Sequence, residues 1–278
     1  MKISAALMGL TGLSLLAGCT AEPSAIEDFV DESSDAVITT NAITTNAITT
    51  NAITTNAITT NAITTNAITT NALAVFRDPS AAGESARLYL QYLVRCSFRV
   101  NQSVSFSWTD NEGNVHPETY VGELGLAPEW ATGPLSQRGK RMVSGCMAAH
   151  VNYYGIHVTL SVRSNESPLR LHPNDDEIDE YSHIEGAFWG NLWAPEPYLH
   201  ACYQKSNVNH SRERLRDCAT GHVNADGSVE DCGMIEVVGP CHKSCVGFDF
   251  ARQDYAKCVD DPDTSGNFTK YVITTALP

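Results

Sequence analysis

Positive charge is scarce in this chain. Its 278 residues carry 18 Lys and Arg against 32 Asp and Glu, for a formal net charge of −14. Docking to phosphates needs a clustered basic face, so nucleic-acid binding is excluded as a function class. Adhesion to anionic headgroups by charge is excluded for the same reason, and the acidity serves solubility. Familiar catalytic signatures are missing too. There is no G-x-S-x-G elbow, no H-E-x-x-H helix, no Walker loop and no Rossmann glycine fingerprint. Nor is there an apolar run long enough to span a bilayer, which needs about 20 residues.

What is present begins at the N-terminus. Met1-Lys2 supplies one positive charge, and Ile3 to Leu16 is apolar with small residues interspersed. That is the pattern of a secretory signal. Leu16-Ala17-Gly18-Cys19 closes it. These four residues resemble the lipobox of bacterial lipoproteins. The resemblance implies thioether lipidation of Cys19, cleavage before it and N-acylation of the new terminus. Several acyl chains on one residue anchor far more firmly than a single myristoyl chain. Thr20 stands where an Asp would signal inner-membrane retention, so the resemblance favours the outer membrane of the cell envelope. The membrane, through this lipid, is the first expected partner.

Apart from Cys19 the chain has Cys96, Cys146, Cys202, Cys218, Cys232, Cys241, Cys245 and Cys258. An even number in an oxidising compartment reads as four disulfides, with 105 possible connectivities. Six of the eight lie between Cys202 and Cys258, so the C-terminal half is expected to be loop-rich and stapled. Cys241-His242-Lys243-Ser244-Cys245 also has the spacing of a metal knuckle, but exported thiols oxidise, and no cofactor is expected.

Residues 20–35 hold six acids, no Lys or Arg and one Phe. Such a segment buries too little apolar surface to fold and reads as a disordered linker. Asn41-Ala42-Ile43-Thr44-Thr45 is then repeated without change through Thr70, in six tandem copies with no charged residue. A period of five matches neither a helix nor a strand, and Thr and Ile disfavour a helix. A flexible spacer is the expectation. A pentapeptide solenoid and a strand added to a neighbouring sheet are the alternatives. As a coil, residues 20–76 span about 40 Å; fully extended they reach about 190 Å. Uncharged β-prone repeats are also an aggregation hazard. Near the C-terminus Val272-Ile273-Thr274-Thr275-Ala276 echoes Val37-Ile38-Thr39-Thr40, by coincidence of common β-formers or because the two stretches pair.

The expected organisation is a signal peptide over 1–18, lipidated Cys19 and acidic linker over 19–40, repeats over 41–73, and one disulfide-stapled domain over 74–278. Asp78-Pro79-Ser80 opens a helix to about Arg95. Val104, Phe106 and Trp108 alternate as a strand that turns at Asp110–Gly113, with a second strand near Thr119–Val121. Ser136 caps a helix expected to run to about Gly155. Ile156, Val158, Leu160 and Val162 alternate with His157, Thr159, Ser161 and Arg163 as a half-buried strand. An acidic helix start spans Asp175–Glu180. Phe188–Trp193, Tyr198–Tyr203, Met234–Val238 and Lys270–Thr275 read as extended. The mixture lacks βαβ regularity, so the fold class is α+β, a single disulfide-rich domain with an antiparallel sheet and two or three helices.

Candidate sites are few. Asp261, Asp263 and Ser265, with Gly266 at the sharp turn, resemble the first half of an EF-hand loop, but Val272 stands where the bidentate Glu belongs. Asn224-Ala225-Asp226-Gly227 is a weaker relative. His183, Glu185, Trp189, Asn191 and Trp193 form a candidate ligand patch, since two Trp flanking an Asn suit stacking on a sugar. His150, His157, His200 and His222 read as surface or satisfied core residues. Cys146–Gly155 and Glu185–Asn191 resemble uncharacterised cysteine-rich lipoproteins of myxobacterial type, a resemblance over much of residues 90–275 that implies no activity. The expected function is non-catalytic: a binding or structural domain presented on a long spacer to an envelope protein or polysaccharide. The alternative is a carbohydrate-active or metal-assisted hydrolase using the Asp176–Glu185 region.

Overall fold

A computed structural model describes residues 37–41, 43–44, 75–260 and 267–278. Cys19, the acidic linker, most of the repeats, and Asp261, Asp263 and Ser265 lie outside the described residues.

In chain order the elements are β1 (Val37–Asn41), β2 (Ile43–Thr44), α1 (Ala81–Ser97), β3 (Ser103–Thr109), β4 (Val115–Val121), α2 (Gln137–Ala149), β5 (Val151–Asn152), β6 (Val158–Arg163), α3 (Asp175–Glu180) and β7 (His183–Asn191). There follow β8 (Tyr198–Tyr203), α4 (Val208–Glu213), β9 (His222–Val223), β10 (Val229–Glu230), β11 (Ile235–Pro240), α5 (Cys241–Ser244), β12 (Cys245–Asp249), β13 (Asp254–Val259), β14 (Phe268–Thr269) and β15 (Ile273–Leu277). The class is α+β. Among the described residues, two long helices and three short ones stand among mostly antiparallel strands.

The central sheet has the order β1-β6-β15-β7-β8-β11. Its neighbours are antiparallel except β8 and β11, which run parallel. One face packs under α1 and α2, where Leu160, Val162, Phe188, Leu199 and Ile273 meet Leu90, Leu93, Met142 and Met147. The opposite face meets the smaller sheet β12-β13-β14, where Ala187, Trp189, Val272 and Ala276 join Tyr255 and two disulfides. The domain is thus a helical layer, a six-stranded sheet and a three-stranded sheet.

Local sequence explains the helices. Ser80 N donates to Asp78 Oδ1 at 2.8 Å, which turns the chain into α1. Ser136 Oγ accepts from Gly139 N at 3.0 Å and caps α2. α2 stops at Ala149, six residues short of the expected Gly155, because Val151–Asn152 leaves as a strand paired with β2. β6 is buried on both faces, where alternation suggested one. Arg163, 1% exposed, donates to Ser161 Oγ, Gln253 Oε1 and Tyr181 O, and Ser161 donates to buried Glu177. A polar strand face is thereby satisfied inside the molecule.

All eight described cysteines are joined, as Cys96–Cys146, Cys202–Cys241, Cys218–Cys232 and Cys245–Cys258. The first ties α1 to α2 within the helical layer. The last bridges directly opposite residues of β12 and β13.

The two echoing Ile-Thr-Thr stretches do not pair with each other. Both pair with β6, one on each side: Val37 and Thr275 each lie opposite Val162, and Ile38 and Ala276 each lie opposite Ser161. The described part of the leader is therefore an edge strand of the domain's own sheet.

Candidate functional site

β7 carries the residues the sequence grouped as a patch, and its irregularity disperses them. Thr275 pairs with Gly186 but Ala276 pairs with Ile184, so Glu185 is an extra residue in the strand. This bulge flips the pleat at Glu185. Ile184, Ala187 and Trp189 consequently face the small sheet, while Glu185 points to the helical side. Gly186 and Gly190 permit the closeness of β8: a Cβ on Gly186 would lie 2.0 Å from Cys202 O, and one on Gly190 would lie 2.3 Å from Tyr198 O.

Glu185 is fully buried and its Oε2 accepts from Arg216 Nη2 at 2.7 Å and from Thr275 Oγ1 at 2.8 Å. Arg216 also donates to Val151 O at 2.5 Å and Ala149 O at 2.9 Å. One guanidinium thus ties the end of α2, the start of β5 and the bulge of β7 together. Trp189 is buried and donates its Nε1–H to Val259 O at 2.9 Å. His183 stacks on His210 with ring centres 3.8 Å apart, and burial followed by the neighbouring His210 lowers its pKa. Asn191 Oδ1 accepts from Trp193 N at 3.0 Å, and Trp193 packs edge-on against Trp130. The five candidates therefore occupy separate places on two faces of the sheet.

The acids of the alternative reading fall in different settings. Asp176 and Asp179 are exposed on α3, Glu177 is buried against Ser161, and Glu185 is held by Arg216. A cavity of about 240 Å³ does touch Trp189, with Val238, Lys243, Ser244 and Val259 as the other lining residues. Its walls offer one ammonium and one hydroxyl but no carboxylate.

Metal-ligand spacing resolves into disulfides. Cys241 and Cys245 of the knuckle each bond to a different partner. Among the described residues, two sets place donor atoms close together, Cys96 with Cys146 and His150, and Asp217 with Cys218 and Cys232. In both, the two sulfurs are bonded to each other, which removes them as thiolate ligands. Asn224–Gly227 is a hairpin turn in which Asp226 Oδ1 accepts from the backbone and hydroxyl of Ser228, and these bonds lower its pKa.

The structure also assembles a polar–aromatic group that sequence reasoning missed. Asp217, 2% exposed, accepts from His222 Nδ1 at 2.7 Å and from Tyr154 Oη at 3.1 Å. The His222 ring lies flat on Tyr153 at 3.5 Å, and Tyr153 Oη donates to Glu230 at 2.9 Å. Tyr154 stands edge-on and 44% exposed. The signal lay in Cys218 and Cys232, which close the loop bearing His222, but only their pairing brings that loop onto Tyr153. This is a part-buried cluster of rings over a buried carboxylate, in which Tyr154 is the ring exposed for contact with a planar or sugar face.

Comparison with protein-family models, curated proteins and solved structures gave no match.

Proposed function

We propose that the chain is a lipid-anchored protein of the bacterial cell envelope, acylated at Cys19 and held at the outer membrane. It presents a non-catalytic, disulfide-stapled binding domain to an envelope protein or polysaccharide. The observation that carries this reading is that every described cysteine is spent on a disulfide, which suits a compartment beyond the reducing cytosol. The Leu16-Ala17-Gly18-Cys19 sequence supplies the anchor. Among the described residues, Glu177 and Glu185 engage structural partners while Asp176, Asp179 and Glu180 face solvent on α3, which favours binding over hydrolysis. The Tyr153–Tyr154–His222 platform is the surface this reading assigns to the partner. Metabolic labelling with palmitate tests the anchor: the parent chain takes up label and the Cys19→Ser chain does not. Equal uptake by both removes the proposal.

A further inference from the structure

We propose that the outer edge of β1 is a docking surface for a second copy of this chain, which adds one of its Ala-Ile-Thr-Thr-Asn pentads there as a strand. The acceptor is visible in the sheet order. β1 is the terminal strand, and among the described residues β6 is its one partner. Its other side presents alternate backbone N–H and C=O groups along Val37–Asn41, a template for another strand. Natural edges are usually blunted by Lys, Pro or a bulge. None of these stands in Val37–Asn41, and its pairing with β6 runs without a register shift.

The donor is chosen by sequence. β1 reads Val-Ile-Thr-Thr-Asn, and residues 42–46, 47–51, 52–56, 57–61, 62–66 and 67–71 each read Ala-Ile-Thr-Thr-Asn. A strand that pairs with β6 through this sequence is thus followed by six near-copies of itself. The repeat also pairs elsewhere through its backbone, since Ile43–Thr44 lies parallel to Val151–Asn152. Because the repeat is exact, sliding by five residues restores the same side chains opposite the same partners. Register, normally fixed by the hydrophobic pattern, is here degenerate.

Numbers favour a partner chain. Ile43–Thr44 of the first pentad pairs with β5, and the sequence holds five further pentads per chain against one edge. Each molecule is then an acceptor once and a donor several times. Such a contact is heterologous and does not close on itself, so assembly grows with concentration. Several equivalent donors on one leader raise avidity without new chemistry.

The test uses the chain from residue 19 onward with Cys19→Ser, which removes acylation and keeps this proposal separate from the anchor. In sedimentation velocity across about a hundredfold concentration range, the weight-average mass is expected to rise about twofold or more. A variant carrying Thr50→Pro, Thr55→Pro, Thr60→Pro, Thr65→Pro and Thr70→Pro keeps β1 and the domain but breaks the five later pentads as donors, and it stays monomeric. A synthetic peptide copying residues 46–57 competes: it dissociates the assembly and slows amide exchange at residues 37–41. A parent chain that is monomeric throughout, as it would be if its own pentad closed onto β1, overturns the proposal. So does a proline variant that associates as strongly as the parent.

Discussion

Replacing Glu185 by Ala removes the carboxylate from a site where both it and Arg216 are fully buried. Arg216 would keep its bonds to Ala149 O and Val151 O but lose its counter-charge, and the Thr275 hydroxyl would lose its acceptor. Breaking a buried ion pair from one side costs about 3–5 kcal/mol, because the remaining charge is uncompensated. Folded domains hold about 5–15 kcal/mol in all. For a domain of this size each kcal/mol moves the melting temperature by about 2–4 °C, so Glu185→Ala is expected to lower it by about 6–20 °C. Replacing both partners by apolar residues of similar volume, Glu185→Leu with Arg216→Met, costs much less than the sum of the single changes, since no charge is left inside. Urea unfolding under oxidising conditions, followed by tryptophan fluorescence, gives all four corners of the cycle. Single losses below about 1 kcal/mol, or a double loss equal to their sum, would refute the view that this pair clamps the β7 bulge to the end of α2.

His150 makes stability depend on pH. Burial pushes its pKa down to about 3, against a bond to Cys146 O that favours protonation. The unfolded chain takes up this proton near pH 6.5, so stability is full above about 6.5 and falls by about 1.4 kcal/mol per unit as pH drops toward 3. A His150→Gln chain whose melting temperature falls as steeply over that range as the parent's would contradict this. The disulfides should rank by loop length. Cys96–Cys146 encloses 50 residues and Cys245–Cys258 encloses 13, which the chain-entropy argument values at about 4 and about 3 kcal/mol. Paired Ala replacements measured by calorimetry give the order, and the Cys19→Ser chain unfolded without reductant should titrate no free thiol. Eight thiols would disprove the pairing.

Much of the local structure was legible. Asp78-Pro79-Ser80 and Ser136 marked the starts of α1 and α2, since a helix start is decided by a few neighbouring residues. The alternation of Val158, Leu160 and Val162 marked β6. The end of α2 was not legible, because Val151 leaves the helix for a distant strand. The ligand patch failed for a related reason. A single extra residue in β7 reverses which side each later side chain faces, and the bulge arises from pairing with β15, some ninety residues downstream. Asp217 and Tyr153 join one platform through the Cys218–Cys232 closure, for which spacing alone left many pairings open.

By itself the sequence determined the mixed fold class, the number of sulfur bonds and the exact five-residue repeat, because composition, parity and periodicity are properties of the chain read in line. Which cysteine meets which, where Glu185 points and which strand receives Val37–Asn41 were decided only by the tertiary structure. Those outcomes depend on residues far apart in sequence being brought to within a few ångströms, and no local pattern encodes that distance.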